Sequence, residues 1–490
     1  MASLATLYPG LQAVAEKSRK VAALKGELRM VKVIERAVAD RQKVPQEAQQ
    51  LNVEGTDVEL TPEMVRSARA RARATGKPHN EARETFVKIL LRELTTALDE
   101  QLNKAAGRVV ERPYLQDDVR GSLDVRRALN LAWMPLSPET LVRSLFSKQH
   151  YLISATPDFT EQERALLARE ADAPFTEADV PLLDEAAELL GDFSKVTGAA
   201  AAARAAAEHQ ANLENAAKAL ENVHQSLADV GADGVVTAEQ IAAMNETVRE
   251  RMTAAAAAQS DRTWAYGHIV VDEAQELSPM QWRLLMRRCP MKSLTVVGDI
   301  AQASSAAAAS SWEQALEPFV GERFTLDELT INYRTPAQIS DAAVDVARSA
   351  GYEVSAPRAV RQGDWGPQVH HVPAERVVAE TVSVVNREVE HSGGALIGVI
   401  CPPDEYIAVA QAVGRAQTGR TGTAQDALEN QVLVLTPWEA KGLEFDVVVI
   451  VEPQRLIDDA LGAVGDLYVS MTRPTQRLHL VGDRMPEGLE

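Results

Sequence analysis

The chain has little of what would fix a fold covalently or hold it in a lipid. Of its 490 residues only Cys289 and Cys401 are cysteines. They stand far apart, with no Cys-x-x-Cys or histidine partner pattern, so neither a disulfide framework nor a zinc site of familiar spacing is expected. Buried structural thiols in a reducing, cytoplasmic setting fit better. No apolar run approaches the roughly 18 residues of a membrane span, and no charged leader followed by an apolar core stands at the start. A soluble chain without a membrane partner is therefore expected. Aromatic residues make up 4%, and basic charge is also short, with 51 Lys and Arg against 70 Asp and Glu and a formal net charge of -19. That balance argues against broad, charge-driven nucleic-acid binding, which depends on cations replacing counterions at phosphates. What remains is 46% hydrophobic, in a length sufficient for roughly two to four globular, helix-rich domains.

The first half reads as helix. Residues 11–40 place Leu24, Leu28, Val31 and Ile34 at helical spacing, and Thr61-Pro62-Glu63 offers an N-cap followed by proline at the first helical position. The stretch 64–79 carries Arg66, Arg69, Arg71, Arg73 and Lys77; it is either a solvated helix face or a phosphate-contacting one. Residues 158–192 reverse the sign, with eleven acidic residues from Asp158 to Asp192 facing only Arg164 and Arg169, and should repel DNA. The alanine-rich stretch 198–228 repeats Leu213, Leu220 and Leu227 every seven residues, which suits a helical hairpin arm or ordinary helix packing. Thr237-Ala-Glu-Gln240 is a capping-box signal. From about residue 265 the texture becomes short apolar runs, each followed by a helical stretch, at 268–271, 294–298, 395–400, 432–435, 447–451 and 478–481. That alternation predicts parallel strands in α/β layers.

Chemistry stands at the ends of those runs. His268-Ile-Val-Val-Asp272-Glu273 reads as a buried strand delivering two carboxylates to its carboxyl end, where open α/β sheets bind ligands. Asp272 is suited to hold Mg²⁺ through water, and Glu273 to orient or deprotonate an attacking water. Gln275 and a second run ending Gly298-Asp299-Ile-Ala-Gln302 add amides that would report a γ-phosphate. Asn332-Tyr-Arg-Thr335, Lys441-Gly-Leu-Glu-Phe-Asp446 and Tyr468-Val-Ser-Met-Thr-Arg473 follow in order. A phosphate-gripping Gly-x-x-x-x-Gly-Lys-Ser/Thr is not among these residues. The span 414–421 matches its glycine spacing, but Arg420 stands where lysine belongs and 407–413 reads as helix rather than the strand that such a loop requires.

Taken together, these motifs resemble superfamily 1 helicases of the UvrD/Rep type, and most closely the HelD branch, helicase-like RNA polymerase recycling factors. The resemblance implies RecA-like, P-loop NTPase parallel sheets, the first domain incomplete and the second complete, with a large helical insertion. Its implied boundaries are 1–30 and 263–325 for the first RecA-like domain, 31–262 for the insertion and 326–490 for the second domain. It further implies that Glu273, Gln302, Arg334 and Arg473 are catalytic, Arg334 reaching the γ-phosphate and Arg473 serving as the arginine finger. Asp272, Gln275, Tyr333, Gly442 and Glu444 would bind the cofactor, with Tyr333 stacking on the base and Asp272 holding the metal. ATP or GTP with Mg²⁺ are the implied cofactors; RNA polymerase core is the implied partner, with DNA as a second candidate.

Two departures select the HelD branch over DNA-unwinding relatives. Gln302 is followed by Ala303-Ser-Ser-Ala rather than by an aromatic that stacks on a base, leaving Trp312 as a substitute or as a packing residue. The long, partly acidic helical region before Asp272 resembles the family's insertion, with 17–45 as its entry. A further departure is Pro474, which replaces the small residue usual after the finger arginine. By the same resemblance Met1 reads as an internal methionine of a longer chain, and the first sheet is expected to show an open apolar edge. Three readings follow: a helicase-like ATPase portion that needs a phosphate loop supplied from elsewhere and is inactive alone, a non-catalytic polymerase-binding module, or a nonfunctional gene remnant.

Overall fold

The computed structural model describes residues 4–16, 18–106, 114–193, 258, 261–303, 309, 311–351, 354, 356–391, 393–422, 430–458 and 463–489. They form two compact units, one of residues 1–16 and 28–264, the other of 17–27 and 265–490. The heptad stretch 198–228 and the capping box at 237–240 lie outside the described residues.

The expected helix over 11–40 is two helices. α1 (Arg19–Gly26) is capped by the Ser18 hydroxyl and belongs to the second unit, whereas α2 (Arg29–Ala39) belongs to the first and buries Met30, Val33, Ile34, Ala37 and Val38. An all-helical first half is not what forms. β1 (Gln49–Val53) and β2 (Thr56–Leu60) make an antiparallel hairpin whose two turn residues, Glu54 and Gly55, both have positive φ. That twist suits a two-residue hairpin, and the alternation of Leu51, Val53, Val58 and Leu60 was its sequence signal. α3 (Pro62–Arg73) starts as expected, with the Thr61 hydroxyl accepting from the Met64 amide and Pro62 in the first turn. α4 (His79–Ala106), α5 (Leu115–Gly121) and α6 (Leu123–Ala132) close over the hairpin, burying Phe86, Leu90, Leu94 and Trp133 in one core with its four apolar residues.

α7 (Pro138–Ser147), α8 (Gln149–Ala155), α9 (Glu161–Leu167) and α10 (Val180–Leu190) complete this unit. The acidic stretch is not the bare repelling surface that its sequence suggests. Asp179, Asp184 and Glu185 are buried. Asp179 pairs with Arg169 at 2.6 Å, Arg262 bridges Asp184 at 3.3 Å and Glu188 at 2.6 Å, Arg36 reaches Asp158 at 2.8 Å, and Arg29 pairs with Glu163. Most of these arginines are remote in sequence, so a local charge count could not find them.

In the second unit, β3 (Ile269–Val271) pairs in parallel with β4 (Leu294–Val296), the connection running through α11 (Pro279–Arg288), whose Ser278 and Gln281 form a capping box. α12 (Trp312–Val320) follows, capped by Ser311. β5 (Ile331–Asn332) pairs with β6 (Arg358–Ala359), with α13 (Ala337–Ser349) between them. A six-stranded sheet then takes the order β7 (Gln368–His371), β12 (Pro474–Gly482), β11 (Phe445–Val451), β8 (Ile397–Ile400), β10 (Val432–Leu435), β9 (Thr421–Gly422). Every pairing in it is parallel. α14 (Val377–His391), α15 (Tyr406–Ala416), α16 (Pro453–Asp458) and α17 (Ala463–Met471) connect its strands.

Each of the six apolar runs became a strand. In the four runs that enter the six-stranded sheet, the reason they lack alternation is that both faces are covered. Leu433, Leu435, Val448 and Ile450 join Ile339, Ala343, Leu467 and Met471 in one core, whereas Val432, Val434, Val447 and Val449 join Val384, Val385, Val409 and Val413 in another. The period of two therefore decides which helical layer a residue meets. Residues 414–421 form no phosphate cradle: Gly414 lies inside α15, and the turn after it presents helix-terminal carbonyls, which Thr418 and Thr421 hydroxyls cap.

Candidate functional site

β3 ends at Val271 and hands the chain to Asp272, whose Oδ1 accepts the Glu273 amide at 2.9 Å. This turn sets Glu273 in the left-handed region, φ 52°. A non-glycine residue there stores about 1 kcal/mol or more and persists only where its surroundings hold it. Here the hold is a hydrogen bond from Gln275 Nε2 to Glu273 Oε2 at 2.6 Å, Gln275 itself being buried. Its other amide atom, Oε1, accepts the Asp299 amide at 3.1 Å, tying the end of β3 to the end of β4. Gly298 permits that approach. A Cβ there would lie 2.3 Å from Gln275 Oε1 and 2.9 Å from the Trp312 ring. Trp312 therefore packs over the glycine at the start of α12, as a packing residue.

The series continues across the second unit. Gln302 Nε2 donates to Asp299 Oδ2 at 2.9 Å, and Arg473 Nη2 donates to Gln302 Oε1 at 2.8 Å, joining residues 171 positions apart. Arg473 is 4% exposed and its Nε also donates to the Val469 carbonyl. Burial and the nearby charge of Arg334 lower its pKa, against the opposing pull of Glu273, Glu444 and Asp299. Those four charged groups thus surround one guanidinium. Pro474 disturbs no helix, because α17 has ended at Met471 and the proline opens β12.

Glu444 and Arg473 immediately precede β11 and β12, and the pairing of Phe445 with Pro474 sets them side by side at the amino ends of neighbouring strands. Arg334 joins them: Nη1 donates to Glu444 Oε1 at 2.8 Å and Nη2 to the Thr472 carbonyl at 3.4 Å. Its Nε is buried without a hydrogen-bond partner. The Asn332 side chain holds this turn by accepting the amides of Arg334 and Thr335. Gly442, φ 72°, supplies the left-handed turn leading to Glu444. Tyr333 is 69% exposed, so its ring stands in solvent.

Structure thus brings Glu273, Gln275, Gln302 and Arg473 into one hydrogen-bonded series, with Arg334 and Glu444 paired beside it and Asp272 at its head. Tyr333 and Gly442 flank the group without joining it. Three further participants carried no assigned role in the sequence. Lys441 pairs with Glu276 and lies over the Trp438 ring. Arg361 Nη1 donates to the Arg334 carbonyl at 2.9 Å. Tyr468 is buried beside Asp299, and burial with that charge pushes its phenol up to about 12. Lys441 and Tyr468 stood inside quoted motifs, whereas Arg361 had no local signal. Among the described residues no group of three His, Cys, Asp or Glu is placed to hold a metal directly. Two arginines beside four carboxylates nevertheless suit a polyphosphate accompanied by a divalent cation held through water.

No helix among the described residues is long and apolar enough to cross a membrane. Among curated proteins, none matches this chain. A solved structure of the C-terminal domain of a possible DNA helicase from Lactobacillus plantarum WCFS1 is similar at 23% identity and a TM-score of 0.26, covering 32% of this chain and 92% of that one. Residues 176–308, the part that contains Asp272, Glu273, Gln275 and Gln302, match the AAA domain family.

Proposed function

We propose that this chain is a portion of a helicase-type ATPase, of the UvrD/Rep superfamily and HelD type, that carries the nucleotide-sensing and hydrolysis residues, needs a phosphate loop supplied from elsewhere for turnover, and associates with RNA polymerase core. The observation that carries the reading is the series Glu273, Gln275, Asp299, Gln302, Arg473, which links the strand-end carboxylates to the proposed arginine finger. The orphaned Nε of Arg334 beside it fits an anion. Bound Mg²⁺ with ATP or GTP would supply a phosphoanhydride bond and the charge that polarises it. Asp272 would hold the cation through water, and Glu273, kept in its strained turn by Gln275, would orient the attacking water. Arg473 and Arg334 would stabilise charge on the phosphates. Gln302 bridges Asp299 and Arg473, so it is placed to couple phosphate occupancy to the finger.

A phosphate-gripping loop is not among these residues, so turnover by this polypeptide alone is expected to stay at the buffer rate in a Mg-ATP hydrolysis assay. Robust hydrolysis that disappears in Glu273→Gln would sink that expectation while supporting the assigned site. Co-sedimentation with RNA polymerase core at low and moderate salt tests the partner, and failure at both salts removes the polymerase from the reading. A non-catalytic polymerase-binding module is the second reading. It is favoured by one feature: Arg473 and Arg334 already find protein acceptors in Gln302 and Glu444.

A further inference from the structure

A cavity of ≈ 200 Å³ opens where α2, α3 and α4 meet, in the helical unit and apart from the site above. Its apolar wall is Val38, Trp133 and Leu189, and Arg73 and Lys77 stand on its rim. Both are exposed at the end of the basic face that the sequence singled out, and among the described residues neither has an ion pair with a carboxylate. Arg73 is nonetheless held in place. Its Nε donates to Gln42 Oε1, while Arg69 donates to the Gln42 backbone carbonyl. The Gln42 amide in turn donates to Nδ1 of His79, whose Nε2 donates to the Met134 carbonyl at 2.9 Å. A carbonyl only accepts, so the tautomer is fixed with the proton on Nε2 and Nδ1 left as acceptor.

The charge balance is one-sided. His79 is pushed down to about 4, first by burial and then by the charges of Arg83, Arg41 and Arg73, only its bond to Met134 opposing. The imidazole is therefore neutral at pH 7 and contributes no cation of its own. Arg83 and Arg41 are otherwise engaged, the first with the Trp133 carbonyl and Asn130, the second with Ser144. Arg73 and Lys77 keep donors for a ligand. Glu35 is the carboxylate on the rim, and no ion pair joins it to either cation.

We propose that this corner binds a phosphoryl group, with Arg73 and Lys77 neutralising it, Gln42 fixing the guanidinium and the half-buried Leu189, beside Val38, receiving an apolar body attached to it. Charge-assisted hydrogen bonds from a preorganised arginine are the strong ones, and an apolar surface on one side lowers the local dielectric around them. Glu35 opposes the anion and limits its affinity.

The test is calorimetric titration of the full chain with inorganic phosphate at low salt. Saturable uptake is expected, weakened roughly tenfold in Arg73→Gln combined with Lys77→Gln. Lys77→Gln alone leaves the Gln42 contacts intact and should weaken it severalfold, while Glu35→Gln should tighten it. Arg71→Gln, on the same helix but not lining the cavity, is the control. Absence of saturable uptake, or an equal loss in Arg71→Gln, overturns the proposal. Competition then identifies the source of the phosphoryl group: displacement of phosphate by a single-stranded oligonucleotide assigns the site to nucleic-acid backbone, and displacement by a nucleoside monophosphate but not by the oligonucleotide assigns it to a free phosphorylated ligand. Displacement by neither leaves inorganic phosphate without a body and overturns the assigned role of the apolar wall.

Discussion

β3 and β11 begin from the same kind of sequence, a run of valine and isoleucine closing on a polar residue, and end in different environments. In β11 every residue from Val447 to Val451 is buried at 1% exposure or less, with a helical layer on each face. In β3, Val270 is 67% exposed, and Val297 beyond the end of β4 is 48% exposed. Composition therefore does not set burial; the number of layers that tertiary packing stacks on a strand does. The small sheet is held instead by polar contacts at its ends, Gln275 to Asp299 and His268 to Ser293 and Thr295. The Gln275 to Asp299 contact, at the carboxyl ends of both strands, also belongs to the candidate site.

The contrast can be broken by deleting methylenes. Ile450→Ala, fully buried, should cost about 2–5 kcal/mol through lost transfer energy and a residual cavity, whereas Val270→Ala at 67% exposure should stay within about 0.5 kcal/mol. Urea melts followed by circular dichroism read both. Equal losses would mean that β3 has a cover not seen among the described residues.

Each region also carries one cysteine, both buried: Cys289 at the end of α11, with Ser293 and Gly267 carbonyls around its sulfur, and Cys401 at the end of β8, where burial and three neighbouring carboxylates push the thiol up to about 12. Labelling with a thiol reagent in native buffer should therefore modify Cys289 first, at least roughly tenfold faster, because the two-stranded sheet opens at lower free energy than the six-stranded one. Faster labelling of Cys401 would reverse the ranking.

Acid should produce the smallest effect. His370 on β7 shares a hydrogen bond with His479 at 3.2 Å, and burial together with the neighbouring imidazole lowers its pKa against the pull of Glu380, while Arg387 adds to the lowering and His479 pairs in turn with Glu388. A base with a lowered folded pKa binds fewer protons than the unfolded chain, so its contribution is complete above the ordinary histidine value near 6.5 and declines as pH falls through that value toward the folded one. Melting between pH 7.5 and 5.5 should show a modest loss on acidification, reduced in His370→Gln. An unchanged slope in that variant would move the titration elsewhere.

Legibility followed locality. All six apolar runs, the Thr61 cap and the order of the motifs were readable because each depends on residues within a few positions. The hairpin at 49–60 was readable too, from alternation flanking Glu54-Gly55, and the bias toward helix hid it. Short strands such as β5 and β6 were not, since two residues carry no period. Among site residues, the types and their placement at strand ends were legible. The links from Arg473 to Gln302 and from Arg361 to Arg334 span 171 and 27 positions and leave no local trace.

The sequence by itself determined the parallel α/β character of 265–490, the chemistry available at its strand ends, and the absence of a phosphate-loop motif from these residues. Periodicity and residue type suffice for that, because backbone sterics and hydrophobic burial act over short stretches. Only the tertiary structure decided that the acidic stretch 158–192 is threaded with arginines, that Glu273 sits in a left-handed turn, and that carboxylates, amides and guanidiniums converge. Those outcomes depend on desolvation and on pairing between distant segments, where the energy of a charge is set by what folding places beside it.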